Sequence, residues 1–372
     1  MRLLLISGSY PPMKCGVGDY TYQLAQALTA VAAIDIGVLT SDDAEASSPT
    51  RVEVLADMPG WRVRDAWHAL SALNRWKPDV VHIQYPTQGY DYGRLPMWLP
   101  MMAWLLGIKV VQTWHESTGV RGAASFLLRA LVPGKVVVVR PGFRQGLHPL
   151  LRALLFSREP VFIANASSIS RSRLDASQKQ AAKQTYLAGQ QRLIVFFGFV
   201  YPFKGVDLLF EIADASTDHI VIAGEVDRDS DYGRQLLQTA ASTRWAGKVS
   251  FTGFLTSDAV ADLLVVSDAV VLPFRQGGGE WNTSIHGAVL NGSYVITTSE
   301  HLRGFDPQQG IHYAPIDDVQ EMKHALSLAA HRRPGSASGG SASADHDPWR
   351  GIAQAHVDLY QGVVGARAIG RN

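Results

Sequence analysis

Cysteine is almost absent from the sequence, since Cys15 is the only one among 372 residues. A single thiol excludes an internal disulfide framework and suits a reducing compartment. The opening residues MRLLLISGSYPP form a short apolar run followed by a turn, without the small-residue cleavage site of a signal peptide. We therefore expect a cytoplasmic protein.

Long hydrophobic runs are also missing. The most apolar stretch extends from Leu95 to Val111, is interrupted by Pro96, Pro100 and Lys109, and falls short of the about 20 residues that cross a bilayer. Buried core is the favoured interpretation of this stretch, and shallow contact with a membrane surface is the alternative.

An excess of charge of one sign is lacking as well, because 34 Lys and Arg residues stand against 33 Asp and Glu. This near-neutral sum gives no reason to expect a nucleic-acid partner. One region differs: from Arg121 to Lys183, eleven basic residues stand against two acids, Glu159 and Asp175. A solvated surface explains this region, and a surface for an acidic acceptor or an anionic membrane is the sharper hypothesis.

Apolar runs bounded by turn residues alternate with segments of helical period, first along 1–168 and again along 169–345. Strands that are buried on both faces read as continuous Val, Ile and Leu. The first series of runs is LLLIS, IGVL, DVVHI, IKVVQT and KVVVV, and the second is LIVFFGF, HIVIAG, KVSFTGF, DAVVLPF and SYVITT. The alternation predicts an α/β protein with two successive doubly wound, Rossmann-like domains.

The end of the chain is predicted to hold a loop and a last helix. Residues 332–347 are rich in Gly, Ser and Ala and cannot bury a core, which predicts a mobile loop. Apolar residues recur at helical spacing after Pro348. We therefore expect a separate helix within 346–372.

The first Gly-rich turn, Gly16-Val17-Gly18, joins the first predicted strand to the first helix. Glycines at this position of a doubly wound sheet let backbone amides approach an anion at the helix N-terminus. The turn lacks the G-x-G-x-x-G pattern of dinucleotide-binding proteins, which disfavours a nicotinamide-dependent enzyme. A tight structural turn is the alternative.

The second domain offers two candidate cations at one edge of its sheet. Lys204 follows a strand and a loop and precedes a predicted helix, and Arg275 follows the buried run DAVVLPF. Open α/β sheets bind ligands at the carboxyl ends of their strands, so both side chains can approach a diphosphate. For Lys204, an ordinary surface lysine is the alternative.

The segment QGGGEWNTSIH combines three glycines, the carboxylate of Glu280 and small polar residues before a predicted helix. We expect the amides and hydroxyls of Thr283 and Ser284 to cap that helix and to face the diphosphate. Glycine-rich backbone before a helix N-terminus is typical of an anion site.

No metal site is predicted. Residues 227–233, DRDSDYG, imitate the start of a calcium loop, but glycine stands at loop position seven rather than six. Gln238 also stands where such a loop needs glutamate. A solvated loop explains these acids better.

Six segments of the chain carry a family resemblance. They are GSYPPMKCGVGDYTYQLAQAL, PDVVHIQYP, VVQTWHES, FFGFVYPFKGVDLL, VSFTGFLTSDAVADLLVVSDAVVLPF and the Gly-rich segment that ends at ITTS. In this order and spacing they resemble the retaining, nucleotide-sugar-dependent glycosyltransferases of family four, the group 1 transferases. The resemblance spans nearly the whole chain. It implies the GT-B fold, in which two Rossmann-like domains face across a cleft and the C-terminal helix crosses back to the first domain.

The resemblance also implies roles for single residues. Lys204 resembles the lysine that binds the donor phosphates, and Gly16–Gly18 the loop that approaches the diphosphate from the first domain. His115, in TWHES, matches the histidine that faces the donor sugar, although taken alone it would be interpreted as an interior histidine. Phe254 and Asn282 complete the predicted donor-binding residues. The donor is a substrate, and neither a metal nor another cofactor is implied.

The sequence departs from the family pattern in two places. Members usually carry two glutamates separated by seven residues, but Gly287 occupies the place of the second, and Glu280 lies seven rather than eight positions before it. The arginine usually found shortly before Lys204 is replaced by Phe199. We infer that Arg275 supplies the missing cation and that Glu280 is the best candidate for hydrogen bonds to sugar hydroxyls.

The implied reaction moves a sugar from a nucleoside diphosphate to a hydroxyl of a glycan or lipid-linked acceptor, in the synthesis of a cell-surface polysaccharide or glycolipid. The predicted catalytic residues are His115, Lys204, Arg275 and Glu280. The missing glutamate and arginine suggest, as an alternative, a catalytically silent subunit that binds nucleotide sugars. A sugar-nucleotide epimerase or a phosphorylase with the same layout is a further alternative.

Overall fold

The computed structural model describes residues 1–44, 51–116, 123–143, 147–154, 159–279, 281–329 and 347–365. The chain divides into two compact units. Unit 1 consists of Met1–Ala166 and the segment from Asp347 onward, and unit 2 lies within Ser167–His346. The loop predicted at 332–347 lies, apart from Asp347, outside the described residues.

Unit 1 is built on a parallel sheet of seven strands. They are β1 (Arg2–Ile6), β2 (Asp35–Ser41), β3 (Val52–Met58), β4 (Val80–Tyr85), β5 (Lys109–Trp114), β6 (Lys135–Val138) and β7 (Val161–Phe162). Their order in the sheet is β3-β2-β1-β4-β5-β6-β7, so the winding reverses between β1 and β4. This is the doubly wound sheet that the sequence predicts.

Helices cover both faces of this sheet. They are α1 (Gly16–Val31), α2 (Ala66–Trp76), α3 (Leu95–Leu105), α4 (Ala123–Leu131), α5 (Pro149–Leu154) and, from the end of the chain, α12 (Pro348–Gly365). Successive side chains of a strand point to opposite faces. Leu3 and Leu5 of β1 belong to the apolar cluster of α1 and α12, whereas Leu4 and Ile6 belong to that of α2 and α3. The last helix is therefore part of the core of unit 1.

Unit 2 repeats the same plan. Its strands are β8 (Arg192–Phe197), β9 (Asp218–Ala223), β10 (Val249–Phe251), β11 (Ala269–Leu272), β12 (Val295–Thr298), β13 (Gly304–Asp306) and β14 (Ile311–Ala314). Their order is β10-β9-β8-β11-β12-β14-β13, with only the β13–β14 pair antiparallel among the described strands. The winding reverses between β8 and β11, which again matches the predicted doubly wound sheet.

Several helices of unit 2 begin at polar side chains that the sequence supplies. They are α6 (Ala176–Leu187), α7 (Leu209–Ile212), α8 (Asp231–Ala240), α9 (Ser257–Val266), α10 (Thr283–Leu290) and α11 (Val319–Ala329). Asp175, Ser230 and Thr256 each accept a hydrogen bond from an amide in the first turn of α6, α8 and α9, respectively. Such caps satisfy amides that have no partner inside the helix.

The apolar stretch from Leu95 to Val111 forms α3 and the start of β5, and only part of it is buried. Four of its side chains are exposed: Trp98 (45%), Trp104 (43%), Leu105 (71%) and Leu106 (46%). The prediction of buried core is therefore wrong for this side of the helix. None of the described helices is both long enough and apolar enough to span a bilayer.

Candidate functional site

In unit 1, the loops that follow β1 and β4 meet where the winding of the sheet reverses. The amide of Gly89 donates a hydrogen bond of 2.7 Å to Oγ of Ser9. A Cβ on Gly89 would lie 1.8 Å from the carbonyl oxygen of Gly8, so this approach of the two backbones requires glycine. Such a crevice between diverging loops is where open α/β sheets bind ligands.

The predicted turn Gly16-Val17-Gly18 forms the first turn of α1 in this crevice. The residue before it, Cys15, makes no side-chain cap, and a Cβ on Gly16 would meet no atom within 4 Å. First-turn amides with open space in front of them can approach an anion. Burial raises the pKa of the nearby Asp19 carboxyl to about 6, which reduces its negative charge below that pH.

His115 directly follows β5 and is only 7% exposed. Its Nε2 lies 2.9 Å from Oε1 of Gln84, and its ring makes an edge contact with Tyr20 of α1 at 4.8 Å between centroids. Burial, with contributions from Arg140 and His356, lowers the pKa of His115 to about 3. The imidazole is therefore neutral at physiological pH, and Tyr20 connects it to the helix that carries the glycine turn.

A buried hydrogen-bond chain leads from His115 through Gln84 and His82 to Tyr360 of α12. Nε2 of Gln84 lies 3.3 Å from Nε2 of His82, and Nδ1 of His82 lies 2.6 Å from Oη of Tyr360. An amide oxygen only accepts and an amide nitrogen only donates. With the hydroxyl of Thr113 also donating to Nε2 of His82 at 2.7 Å, these partners assign hydrogen to Nε2 of His115 and to Nδ1 of His82. Sequence reasoning did not find this chain, because its members are far apart along the sequence.

In unit 2, the loops that follow β8 and β11 also meet at the reversal of the winding. The amide of Arg275 donates a hydrogen bond of 3.0 Å to the carbonyl of Phe203, and a Cβ on Gly205 would lie 2.1 Å from the carbonyl oxygen of Pro273. Gly205 has a φ of +68°, which favours glycine. This geometry places Lys204 beside the loop after β11, with Nζ 4.6 Å from the ring centroid of Phe274.

Helix α10 begins beside the same loops. The side chain of Asn282 accepts a hydrogen bond of 3.0 Å from the amide of Ser284. The cap of this helix is therefore Asn282, and the prediction that the hydroxyls of Thr283 and Ser284 supply it is wrong. A Cβ on Gly198, just after β8, would lie 3.6 Å from Oγ of Ser284. The start of α10 and the end of β8 are thus neighbours.

Arg275 does not point to open space as a replacement cation would. Its guanidinium lies 2.5 Å from a carboxylate oxygen of Asp207 and 2.8 Å from one of Asp317. Two carboxylates already balance this charge, so the geometry does not favour the predicted role of Arg275 at the diphosphate. The partners are 68 and 42 positions away in the sequence, which kept them out of the prediction.

Gly287 and Phe199, which replace the second glutamate and the arginine of the family pattern, both pack against neighbouring side chains. A Cβ on Gly287 would lie 2.8 Å from Oγ of Ser167 and 3.1 Å from Cβ of Ile169, so a glutamate there requires these neighbours to shift. The ring of Phe199 stacks on Tyr201, with 6.0 Å between centroids. Glu280 lies outside the described residues.

The remaining site predictions are Phe254 as a donor-binding residue and the acids of residues 227–233 as a solvated loop rather than a metal site. Phe254 follows β10 and is 60% exposed, so its ring is accessible to a planar ligand. Of the acids in residues 227–233, only Asp231 lies in α8; Asp227 and Asp229 precede the helix, and Asp227 accepts a hydrogen bond from the amide of Asp229. Within the described residues, no group of three or more His, Cys, Asp or Glu could hold a metal ion.

Comparisons with known proteins place this geometry in context. Residues 15–169 match the family described as Glycosyltransferase Family 4. Sucrose-phosphate synthase from Thermosynechococcus elongatus is similar at a TM-score of 0.74 and 15% identity, covering 98% of this chain and 100% of that one. HepE from Anabaena, in complex with UDP, is similar at a TM-score of 0.68 and 12% identity, covering 99% and 100%.

A third similar structure is WaaG, a glycosyltransferase involved in lipopolysaccharide biosynthesis, at a TM-score of 0.62 and 14% identity, covering 99% of this chain and 100% of that one. No curated protein sequence matches the chain significantly. At these identities the structural likeness shows the fold. The predicted resemblance to group 1 glycosyltransferases and the two-domain, Rossmann-like GT-B fold are confirmed.

Proposed function

We propose that the chain, with its Glycosyltransferase Family 4 segment on a GT-B fold, moves a sugar from a nucleoside diphosphate to an acceptor hydroxyl with retention of configuration. The observation that carries this proposal is the arrangement at the reversal point of unit 2. Lys204 lies there beside the loop after β11, and the start of α10 lies beside Gly198. A cation and helix-terminal amides at the carboxyl ends of strands suit a diphosphate.

The chemistry follows from where charge develops. As the bond to the sugar breaks, the diphosphate gains negative charge. Lys204 and the first-turn amides of α10 therefore stabilise the transition state more than the ground state. Such stabilisation makes a divalent cation unnecessary. The departing phosphate then takes the acceptor proton, which is front-face attack with retention. Neutral His115 serves as a hydrogen-bonding group for the donor sugar, because a pKa of about 3 leaves it no proton to release near neutrality.

UDP is the first nucleotide to test, because the similar HepE structure holds UDP. The experiment is a thermal-shift series with UDP, GDP, TDP, ADP and NAD, each with and without chelator. A ligand at about 100 times its dissociation constant adds about 2.7 kcal/mol of stability. A shift with one nucleoside diphosphate that survives chelator supports the proposal and names the donor for transfer assays. No shift with any diphosphate, or a shift with NAD alone, contradicts it.

For the acceptor, we propose a glycan or lipid-linked hydroxyl compound at an anionic membrane surface, in cell-surface polysaccharide or glycolipid synthesis on the cytoplasmic side. The exposed side chains Trp98, Trp104, Leu105 and Leu106 of unit 1 support this partner, because aromatic and leucine side chains insert shallowly between headgroups. The basic region 121–183 adds charge attraction.

Liposome co-sedimentation tests the membrane partner. We expect binding to vesicles with anionic lipid, weaker binding to neutral vesicles, and a loss of binding in the double variant Trp98→Ser and Leu105→Ser. The variant Trp67→Ser is the control, since Trp67 is also exposed but lies on α2. Equal sedimentation with neutral and anionic lipid would remove the membrane from the proposal.

A second candidate function is a catalytically silent subunit that binds nucleotide sugars. The crowding at Gly287 favours it, because the second family glutamate is replaced by glycine and the side chains of Ser167 and Ile169 lie close to that position. This candidate predicts a nucleotide-dependent thermal shift without transfer to any acceptor. Isomerised sugar nucleotide formed in the absence of acceptor would instead indicate an epimerase.

A further inference from the structure

A pocket of about 670 Å³ opens in unit 2 between the loop after β8 and helix α8. Its walls combine rings and polar groups, among them Phe203, Asp207, Glu211, Tyr232, Gln235 and Arg275. We call it the Phe203 pocket. Its volume lies within the about 300–1,000 Å³ of small-molecule sites. Of the described residues predicted to bind the donor or to act in catalysis, Arg275 alone lines it.

The polar groups at the centre of the Phe203 pocket are held in place by one another. Tyr232 donates a hydrogen bond of 2.8 Å to Oδ1 of Asp207, and Arg275 donates one of 2.5 Å to Oδ2. Burial raises the pKa of Tyr232 above its usual range, so the phenol remains neutral and donates. Asp207 and Arg275 are each about one third exposed and can make further bonds. A ligand therefore meets groups that need little further ordering.

Three aromatic rings form a stack that ends at the Phe203 pocket. The rings of Phe199 and Tyr201 lie 6.0 Å apart at 18°, and those of Tyr201 and Phe203 lie 5.5 Å apart at 24°. Tyr201 is 37% exposed and Phe203 is 44% exposed. Nearly parallel rings with exposed surface offer flat apolar contact to a flat ligand. The ion pairs of Arg275 explain why the two loops hold together, but they do not explain why these rings stay in solvent.

We propose that the Phe203 pocket and the adjoining ring stack bind an uncharged oligosaccharide. The C–H face of a pyranose packs against aromatic rings, and its hydroxyls donate to carboxylates and accept from guanidinium and amide groups. The walls carry two carboxylates, Asp207 and Glu211, against the single guanidinium of Arg275, which disfavours phosphates and uronic acids. The proposal rests on the proposed function in one respect: the bound chain is a segment of the glycan that the enzyme extends.

The test is binding of the full chain to an array of neutral oligosaccharides with acidic and phosphorylated counterparts, without nucleotide. The strongest neutral ligand is then titrated by calorimetry. Gln235→Trp fills the Phe203 pocket from α8, and Phe203→Ala removes a ring from the opposite wall. We expect each change to weaken the neutral ligand at least about tenfold. Gln238→Trp is the matched control, because Gln238 is exposed on the same helix and does not line the pocket.

Each outcome decides the proposal. Loss of affinity in Gln235→Trp with retention in Gln238→Trp supports it. No neutral ligand, a preference for acidic ligands, or equal affinity in all variants overturns it. The UDP thermal shift, measured on the same samples, separates this proposal from the proposed function. Absence of that shift in the unmodified protein contradicts the transferase function and leaves the oligosaccharide result to stand by itself.

Discussion

Nδ1 of His82 lies 2.6 Å from the hydroxyl of Tyr360, although 278 positions separate the two residues in the chain. His82 is completely buried on β4, and Tyr360 is completely buried on α12. Through Gln84, this contact continues to Nε2 of His115. Helix α12 is therefore connected through buried hydrogen bonds to a histidine in the candidate site.

The first prediction concerns Tyr360→Phe, which removes the hydroxyl at the end of this chain. We expect a loss of about 0.5–1.5 kcal/mol of stability. We also expect altered ¹⁵N shifts of the His115 ring and a lower transfer rate at saturating donor. Tyr294→Phe is the control, because Tyr294 donates a buried hydrogen bond to the carbonyl of Ala325 in unit 2. If both variants leave the His115 signals unchanged, Tyr360 does not position this histidine.

The second prediction is the loss of stability in acid. Burial lowers the pKa of His115 to about 3, that of His356 to about 4 and that of His82 well below 6.5. As the pH falls, these histidines take up protons in the unfolded chain at a higher pH than in the folded protein. Their contribution to the free energy of unfolding is therefore complete above about pH 6.5 and decreases as the pH falls toward 4. Asp19 has the opposite effect on the pH dependence of stability, because its pKa is raised to about 6. It is a single group, whereas three histidines destabilise the folded protein in acid.

Urea denaturation at stepped pH measures this effect. We expect the midpoint to fall steadily below about pH 6.5 and the same trend to persist in His301→Asn, whose side chain is 89% exposed. In His356→Asn the slope should be smaller, because one buried proton acceptor is gone. A midpoint that stays constant from about pH 7 to about pH 5 would show that these histidines do not titrate on unfolding.

The sequence was sufficient for whatever depends on local pattern. Continuous runs of Val, Ile and Leu predicted the buried parallel strands, and the glycines Gly16 and Gly18 predicted where α1 begins. Contacts between distant residues could not be predicted in this way. Arg275 reads as a free cation until Asp207 and Asp317 are seen beside it. The composition of the α3 stretch indicated buried core, because composition does not reveal that Trp98 and Leu105 are exposed.

The third prediction concerns Lys204→Ala. Removal of a charge-assisted contact to the diphosphate should cost about 1.5–3 kcal/mol, which weakens UDP about 10- to 100-fold. The control is Lys323→Ala, since Lys323 is an exposed lysine on α11 of the same unit. Calorimetric titration with UDP measures both variants. An affinity for UDP that is the same in Lys204→Ala as in the unmodified protein would remove Lys204 from the site.

The fourth prediction concerns Gly287→Glu, which restores the residue that the family usually has at this place. A side chain there meets Oγ of Ser167 at 2.8 Å and Cβ of Ile169 at 3.1 Å, so α10 must shift or a carboxylate must be forced among packed atoms. We expect a loss of about 1–3 kcal/mol and no gain in transfer. Gly351→Glu is the matched control, because it also lies in a helix and a Cβ there meets nothing within 4 Å.

The two substitutions add the same charge and the same volume, and only their surroundings differ. Glutamate is a better helix former than glycine, so Gly351→Glu should leave the melting temperature unchanged or raise it slightly. If Gly287→Glu is as stable as Gly351→Glu and increases transfer, Gly287 stands where this chain has lost a catalytic glutamate. If it is destabilised, as we expect, the side chains of Ser167 and Ile169 occupy the space that a glutamate at position 287 would need.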